Sequence, residues 1–526
     1  PEHLSDRQAD PMATRSIKPK RDDTILTDWQ SMPEVAPSSM RTEGTFGAQI
    51  LLFVGFFLIL VGGLAMIAPL TSWSYFINPG PGYVCLTIGL CLTLYHCFVD
   101  PEPQFRRMYG LFALTLVVFG VLLRVFPATA GFGAYFLSAG VPALFIALLF
   151  LVGVARTETD LFWRTLIRAT ILGVGAISIA YGIGRGFFDV DFLLAEGAVV
   201  TILGLAYLVS FLGMTSERDG DLGYHVSWAL GIAGAGTIAV AIVRSIINGD
   251  FFVPSGLILV TVGIVALAIA IANISDSPAI VLARRELLSY FCSPVAYLVI
   301  FGLLCIFGFN FREFKEDVAQ MVTMRGGLLE PIVQRYVVNF FTIVALLITI
   351  PVITMRLLSE ENRSGSLEVL LTAPLNESSI VLGKYLAAVI FFLIAWAPLF
   401  LFLIAFRIFG DQAFDYRPLL SFFLALTVTA AGFIAMGLFF SSLTSNQIIA
   451  AVLTFAGVLL ALGLHWIQGQ AGMEGLQDLI SYISFPELWI ETSRGNMPLR
   501  YFAAHISVAI FFLFLTVLTL SSRKWK

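Results

Sequence analysis

Long apolar segments separated by short polar breaks run along nearly the whole chain after residue 45. Most are about 20 residues long, the length a helix needs to cross a hydrocarbon core of roughly 30 Å. The predicted spans are 46–70, 82–98, 109–126, 133–154, 165–187, 193–214, 223–247, 252–274, 293–310, 336–357, 379–406, 416–440, 446–467 and 500–521. The pattern therefore predicts an all-α, polytopic helical membrane protein with about 14 transmembrane helices, arranged as 8 + 6.

Composition supports a membrane protein and excludes soluble fold classes. Of the 526 residues, 58% are hydrophobic and 13% are charged, and the mean hydropathy is +0.89. An average soluble domain carries about 25% charged residues. The net charge of -4 shows no basic excess, so we expect membrane lipid and no nucleic acid among the partners.

The basic residues predict the orientation of the chain. Residues 1–45 are polar and lack a signal-peptide pattern, so we expect a disordered cytosolic tail. The short loops on the side of that tail carry Arg106, Arg107, Arg156, Arg164, Arg218, Arg284 and Arg285. Because basic loops stay inside, that side is the predicted cytoplasm. An even number of spans places both termini there, with Arg523 near the C-terminal end.

A repeat of small residues occurs in the first part of the chain, at a period of about 58 residues. Its pairs, each seven residues apart, are Gly82 with Gly89, Gly140 with Ala147, Gly197 with Gly204, and Gly256 with Gly263. Residues at this spacing share a helix face, where small side chains let helices approach closely. We interpret 46–276 as an eight-helix membrane domain of four hairpin repeats, although glycine is common enough in membrane helices for a chance pattern.

Arginines mark the predicted outer ends of three odd-numbered spans: Arg124, Arg185 and Arg244. A long side chain at this depth can extend its charge into the lipid headgroups. The alternative is that they converge with Glu196, at a helix entrance, to form a polar seam. The sequence leaves both interpretations open.

Two charged stretches in the second part interrupt the apolar pattern. The first, 277–291, sets Arg284, Arg285 and Glu286 among apolar residues before a span, as an interfacial helix would. An ordinary positive flank is the alternative. The second, 355–375, predicts a short amphipathic cytosolic helix that docks a soluble partner, with a surface-lying linker equally compatible.

The second stretch resembles the cytoplasmic loop of ABC-2 type transporter permeases, whose pattern is roughly R-x-x-x-E-E-x-x-S-G-[ST]-L-E-x-L-L-x-[ST]-P. The matching residues are Arg356, Glu360, Glu361, Ser364, Gly365, Ser366, Leu367, Glu368, Leu370, Leu371 and Pro374, with Ala373 where the family often has Ser. Residues 283–294 resemble the elbow helix that opens these permeases, and 437–447 resemble the turn after their fourth span. The pattern of apolar spans and charged stretches is most similar to that of permeases of the gliding-motility and nitrous-oxide-reductase-maturation type.

The resemblance implies a six-helix permease domain over 277–526, with an elbow helix at Arg284, Arg285 and Glu286 and a coupling helix within 356–375. It implies the bacterial cytoplasmic (inner) membrane, a separate ABC ATPase subunit, and a homodimer or a pair with a related permease. No G-x4-G-K-[ST] phosphate loop occurs in the chain, and Lys384 lacks the preceding glycines. We therefore expect a transport subunit that is not an enzyme, with ATP–Mg on the partner and no cofactor, metal or catalytic residue of its own.

Two other functions stay open. The hairpin repeat is compatible with a secondary transporter or channel, because internal repeats are common in such carriers. Few ionisable residues lie within the repeated spans, which weakens that hypothesis. The other is a non-transporting membrane scaffold that recruits an ATPase. The sequence does not identify the transported substrate or the direction of transport.

Overall fold

The computed structural model describes residues 52–63, 79–99, 103–125, 133–188, 197–214, 220–248, 254–325, 332–372, 375–409, 417–468 and 481–524. Within these residues the secondary structure is helical, with no strand. The predicted tail at 1–45 lies outside them. The chain divides into two compact units between Tyr109 and Gly110.

The helices of the first part are α1 (Leu52–Gly63), α2 (Pro79–Val99), α3 (Pro103–Val125), α4 (Gly133–Thr157), α5 (Leu161–Phe188), α6 (Ala198–Met214), α7 (Gly220–Asn248) and α8 (Pro254–Ile274). Those of the second part are α9 (Pro278–Cys292), α10 (Pro294–Arg325), α11 (Ile332–Val337), α12 (Phe340–Thr354), α13 (Ser359–Ser364), α14 (Ser366–Thr372), α15 (Glu377–Phe409), α16 (Arg417–Leu443), α17 (Gln447–Gln468), α18 (Phe485–Ser493) and α19 (Leu499–Lys524).

Nine helical segments of the described chain are long and apolar enough to cross a membrane. A tenth candidate is the pair formed by α8 and α9, which meet at an angle of 104°. Four shorter apolar helices, at Leu52–Gly63, Val84–Phe98, Gly140–Arg156 and Val199–Met214, lie within other predicted spans. The all-α membrane fold is confirmed. That all 14 segments cross the bilayer, and that both termini are cytoplasmic, stay predictions.

Neighbouring helices of the first part approach closely at glycines. In the first unit, a Cβ added at Gly89 of α2 would lie 2.7 Å from the carbonyl oxygen of Gly55 in α1. In the second unit, a Cβ at Gly263 of α8 would lie 2.7 Å from the carbonyl oxygen of Gly234 in α7. Similar contacts join Gly120 with Gly140 and Gly175 with Gly204. Small residues of the predicted repeat thus lie at helix–helix contacts, while the domain boundaries stay predictions.

The second part contains a large aromatic and aliphatic core around α10, α12, α15 and α16. Trp396 is fully buried, stacks on Phe392 at 5.0 Å between ring centroids, and meets the edge of Phe307 at 5.2 Å. Trp489 of α18 packs similarly against Phe422 and Phe485. These contacts fix the helices whose ends form the candidate site.

Two helices are longer than the apolar pattern predicted. α10 continues past the predicted span end at 310 through the charged residues Arg312 and Glu316, which form an i,i+4 salt bridge of 3.0 Å. α15 continues through Pro398 and ends at Phe409, three residues after the predicted span. The i,i+4 ion pair supports helix where apolar periodicity ends.

Candidate functional site

The motif at 356–372 folds as two short helices, where one amphipathic helix was predicted. After a turn at 355–358, α13 carries Glu360 and Glu361 in its first turn, where carboxylates favour a helix N-terminus. Gly365 then adopts a left-handed conformation, with φ 73°, and ends α13 before α14 begins. Glycine adopts this conformation without the steric cost that a Cβ imposes, so the bend between α13 and α14 depends on a glycine at that position.

Lys384 of α15 connects the two charged stretches that the sequence singled out. Its ammonium Nζ donates to Oε1 of Glu286 in α9 at 3.0 Å and to Oε1 of Glu361 in α13 at 2.7 Å. The lysine side chain is 2% exposed, and the carboxylates are 20% and 24% exposed. A charge this deeply buried is stable only when it is paired and hydrogen-bonded. Lys384 therefore fixes the predicted elbow helix and the predicted coupling loop to the same span.

Gly383 allows α9 to lie directly against α15 beside this lysine. A Cβ at Gly383 would approach the Ala279 carbonyl oxygen and the Leu282 Cβ, each to 2.9 Å. From the sequence, Lys384 is examined only as a phosphate-loop lysine, and this role is not predicted. The available signal was a single lysine within a long apolar run, which demands a buried acidic partner without identifying it.

A second connection joins the loop to α9 and the start of α10. Arg356 donates to the Ser293 hydroxyl at 3.1 Å and lies 3.6 Å from Glu360. The Tyr290 hydroxyl donates to the Ile353 carbonyl oxygen at 3.0 Å. Burial raises the pKa of the Tyr290 phenol, Arg356 opposes that shift, and Glu286 adds to it. The phenol therefore remains a protonated donor at neutral pH.

The ends of α16 and α19 hold the loop from its other side. The Ser441 hydroxyl oxygen accepts from the backbone N–H groups of Leu358 at 3.1 Å and Ser359 at 3.0 Å. Arg523 donates to the Asn362 side-chain oxygen at 2.5 Å and to the Ser442 carbonyl oxygen at 2.7 Å. Ser441 lies within the stretch 437–447 that resembled a cytoplasmic turn, although no sequence signal distinguishes it from the neighbouring residues.

A polar cavity of about 320 Å³ lies between α9 and the loop. Its lining is Arg285, Glu286, Ser289, Tyr290, Arg356, Leu357, Glu360, Glu361, Ser364, Ser366 and Lys384. The Glu361 Oε2 oxygen is buried there without a hydrogen-bond partner among the described residues. The cavity thus offers both basic donors and acidic acceptors to a polar partner.

The loop separates an inward apolar face from an outward polar face. Leu367 is 5% exposed and packs in the core, with Leu370 partly buried against it. These leucines of the predicted docking helix therefore pack inward and are not presented to a partner by the chain alone. Leu371 lies in α14, but its side chain is outside the described part. Exposed outward are Glu360, Arg363, Ser364, Gly365, Ser366 and Glu368, together with Arg284 and Arg285 of α9.

The suggested polar seam is not assembled by the described residues. Arg185 is exposed and donates to the Tyr181 hydroxyl at 2.9 Å on its own helix. Glu196 lies outside the described residues, as do the side chains of Arg124 and Arg244. The seam stays a prediction. No group of three or more His, Cys, Asp or Glu residues in the described ranges is arranged to hold a metal ion.

Comparison with known families identifies the class of protein. The sequence model of the ABC-2 family transporter proteins matches residues 245–522, just over half of the chain. The chain therefore belongs to the ABC-2 transporter family and is an integral membrane permease component of an ABC transporter. Comparison with curated protein sequences and with solved structures gives no match.

Membership of this family carries two consequences. ABC-2 permeases are transport membrane subunits that generally pair with an ABC ATPase subunit. The match also begins 32 residues before the predicted boundary at 277, since 277 − 245 = 32, and so includes α8. The division at 277 stays a prediction.

Proposed function

We propose that the loop 356–375 is the surface through which a separate ABC ATPase subunit drives this permease. The observation that carries the proposal is the buried Lys384, which joins Glu361 of the loop to Glu286 of α9. A displacement of α13 by a partner is transmitted to α9 and α15 through these two ion pairs. An unanchored surface linker has no such connection.

The exposed side of the loop supports the choice of partner. Glu360 and Glu368 point outward, while the nearby leucines pack inward. Complementary charges guide association and fix the register of an interface. We infer that the ATPase presents basic residues to these two carboxylates and binds ATP–Mg on its own chain.

The finer features of the proposal follow from the resemblance of the loop and the elbow stretch. The permease works as a homodimer or with a related permease, in the bacterial cytoplasmic membrane, with both termini on the ATPase side. Its nearest functional type is that of gliding-motility and nitrous-oxide-reductase-maturation permeases. The hairpins of the first part are an additional domain fused to this transport unit.

Charge reversal of the outward face tests the proposal. We expect Glu360→Lys combined with Glu368→Lys to weaken ATPase binding at least about tenfold, because each creates repulsion toward a basic surface. Binding and ATP hydrolysis are measured with the purified partner and the full chain in lipid nanodiscs.

The matched control is Glu313→Lys, which changes an exposed carboxylate on α10. Residue 313 lies 19 positions after Pro294, or about 29 Å along the helix. We expect this variant to bind the ATPase normally. Unchanged binding and hydrolysis in the double variant would contradict the assignment of the loop. Normal binding without stimulation of hydrolysis in the wild type would instead favour a scaffold.

A further inference from the structure

A second cavity, of about 180 Å³, lies among α16, α17 and α19, away from the coupling loop. Its lining is Thr429, Gly432, Phe433, Met436, Gly457, Leu460, Ala461, Leu464, Ile483, His505, Val508 and Phe512. The lining contains no Asp, Glu, Lys or Arg. A charged ligand would find no counter-charge there, so the cavity selects an uncharged group.

His505 is the polar group of this cavity that has an unused hydrogen-bonding atom. Its side chain is 5% exposed, and its Nδ1 lies 2.9 Å from the Tyr501 carbonyl oxygen. A carbonyl oxygen only accepts, so Nδ1 carries the proton and Nε2 of the neutral ring is an acceptor. Nε2 is buried, with no hydrogen-bond partner among the described residues.

The other polar side chain of the lining already has a partner. Thr429 accepts a hydrogen bond from the Trp489 indole N–H at 3.2 Å. Buried polar atoms are normally satisfied, and an exception calls for an explanation. His505 Nε2 is therefore the atom of the cavity that can accept a hydrogen bond from a ligand.

The cavity opens at the surface of the helix bundle. Leu460, which lines it, is 66% exposed, and Ile483 is 38% exposed. Both are apolar residues of a membrane protein, so the surface beside the opening is lipid-facing. A ligand that enters here comes from the bilayer.

We propose that this cavity binds the hydroxyl end of an uncharged, membrane-dissolved hydrophobe, with the hydroxyl donating to His505 Nε2. A cavity of about 150 Å³ is large enough to bind benzene, so this one accommodates a comparable group next to the hydroxyl. The rest of the molecule extends through the opening into lipid. The apolar lining excludes phosphate and ammonium headgroups.

The proposed site is independent of the coupling loop. His505 precedes Arg523 by 18 residues on α19, which corresponds to about 27 Å along the helix. Arg523 contacts the loop through Asn362. Binding in the cavity can therefore be tested without the ATPase, and failure of either proposal leaves the other intact.

The experiment compares two competing ligands, of which only one has a hydrogen-bond donor. The full chain in nanodiscs is photolabelled with an octanol that carries a diazirine on its chain, and the labelled peptides are mapped. Unlabelled octanol and its methyl ether then compete for labelling. We expect label on residues 429–436, 457–464 and 505–512, and octanol to compete roughly five- to tenfold better than the ether, because the ether cannot donate. Equal competition would overturn the proposal.

Variants of His505 assign the preference to one atom. We expect His505→Leu to remove the difference between octanol and the ether, and His505→Gln, which keeps a side-chain acceptor, to retain part of it. Ser507→Ala is the matched control, since Ser507 is exposed and its hydroxyl bonds the Ala503 carbonyl oxygen. A preference that persists in His505→Leu would overturn the role of Nε2. Labelling outside the three peptides would identify binding to bulk lipid-facing surface only.

Discussion

The α7–α8 hairpin and the junction around Lys384 are held together by different interactions. In the hairpin, Gly263 and Gly234 bring two backbones into direct contact, and the Thr237 and Ser245 hydroxyls bond carbonyl oxygens of their own helix. At the junction, polar side chains cross between helices that are distant in sequence. Lys384 and Glu286 are 98 residues apart, and Leu358 and Ser441 are 83 apart.

The difference follows from the surroundings of each region. Within lipid, helix association depends on close packing. Lipid tails are as apolar as the helix surfaces, so the hydrophobic effect does not drive the helices together. Glycine contacts give that packing but no directional link. Ion pairs and hydrogen bonds specify geometry, so a movement of one member displaces the other. We therefore expect hairpin variants to alter stability, and junction variants to alter both stability and coupling to the ATPase.

The largest effect is expected from Lys384→Met. The substitution leaves Glu286 and Glu361 without their shared cation in a largely buried position, which destabilises the protein by about 4 kcal/mol. We expect a lower unfolding temperature in detergent and loss of ATPase stimulation. Both are measured on purified protein, the first with a thiol-reactive dye and the second with the partner in nanodiscs.

Lys315→Met serves as the control for removing a lysine. Lys315 is exposed on α10 and lies 5.3 Å from the centre of the Phe311 ring. We expect only a small change in either measurement, since exposed interactions of this kind contribute about 0.5–1 kcal/mol. If Lys384→Met were as stable and as well coupled as Lys315→Met, the junction would not transmit force.

The sequence predicts some of these residues because their signals are local. Glu286 and Glu361 stand in short charged stretches between apolar runs, and a known motif surrounds the second. Lys384 has no such signal, since its partners lie 98 and 23 residues away. The break at Gly365 was missed although Ser364, Gly365 and Ser366 form a turn-type sequence, because the acidic residues before it and the leucines after it were interpreted as one helix. Apolar periodicity predicts where long apolar helices lie, but pairing across the fold depends on which helices meet.

A smaller effect is expected from Gly263→Ala in the hairpin. The new methyl would lie 2.7 Å from the Gly234 carbonyl oxygen and 2.6 Å from Ile238 Cγ1. Overpacking against a backbone cannot be relieved by a side-chain rotation, so we expect destabilisation of about 3 kcal/mol. The stimulated ATPase rate per folded molecule should remain at the wild-type level. Thermal unfolding and nanodisc ATPase assays measure the two quantities.

Gly236→Ala distinguishes packing from helix propensity. Gly236 lies on α7, two residues from Gly234, and a Cβ there would have no neighbour within 4 Å. Alanine favours a helix over glycine by up to about 1 kcal/mol, so this variant should be as stable as the wild type or slightly more so. Equal destabilisation by both variants would show that glycine flexibility, rather than close approach, matters in the hairpin.

The smallest of the three effects is expected from Ser441→Ala. The substitution removes the acceptor for the backbone N–H groups of Leu358 and Ser359 at the start of α13. An unsatisfied buried donor costs about 1–3 kcal/mol, and we expect about 2 kcal/mol because the short helix can shift. Hydrogen exchange of peptides covering 355–364 should increase, together with a partial loss of ATPase stimulation.

Ser442→Ala is the matched control because Ser442 is equally buried and its hydroxyl donates only to the Phe439 carbonyl oxygen of its own helix. The backbone carbonyl that receives Arg523 is retained in this variant. Exchange at 355–364 should therefore match the wild type. If the two serine variants gave the same exchange, the loop would be positioned by Lys384, Arg356 and Arg523 without Ser441. A difference confined to Ser441→Ala would show that the loop is anchored to the end of α16 as well as to α15. A movement of the loop by a partner would then displace both of these spans.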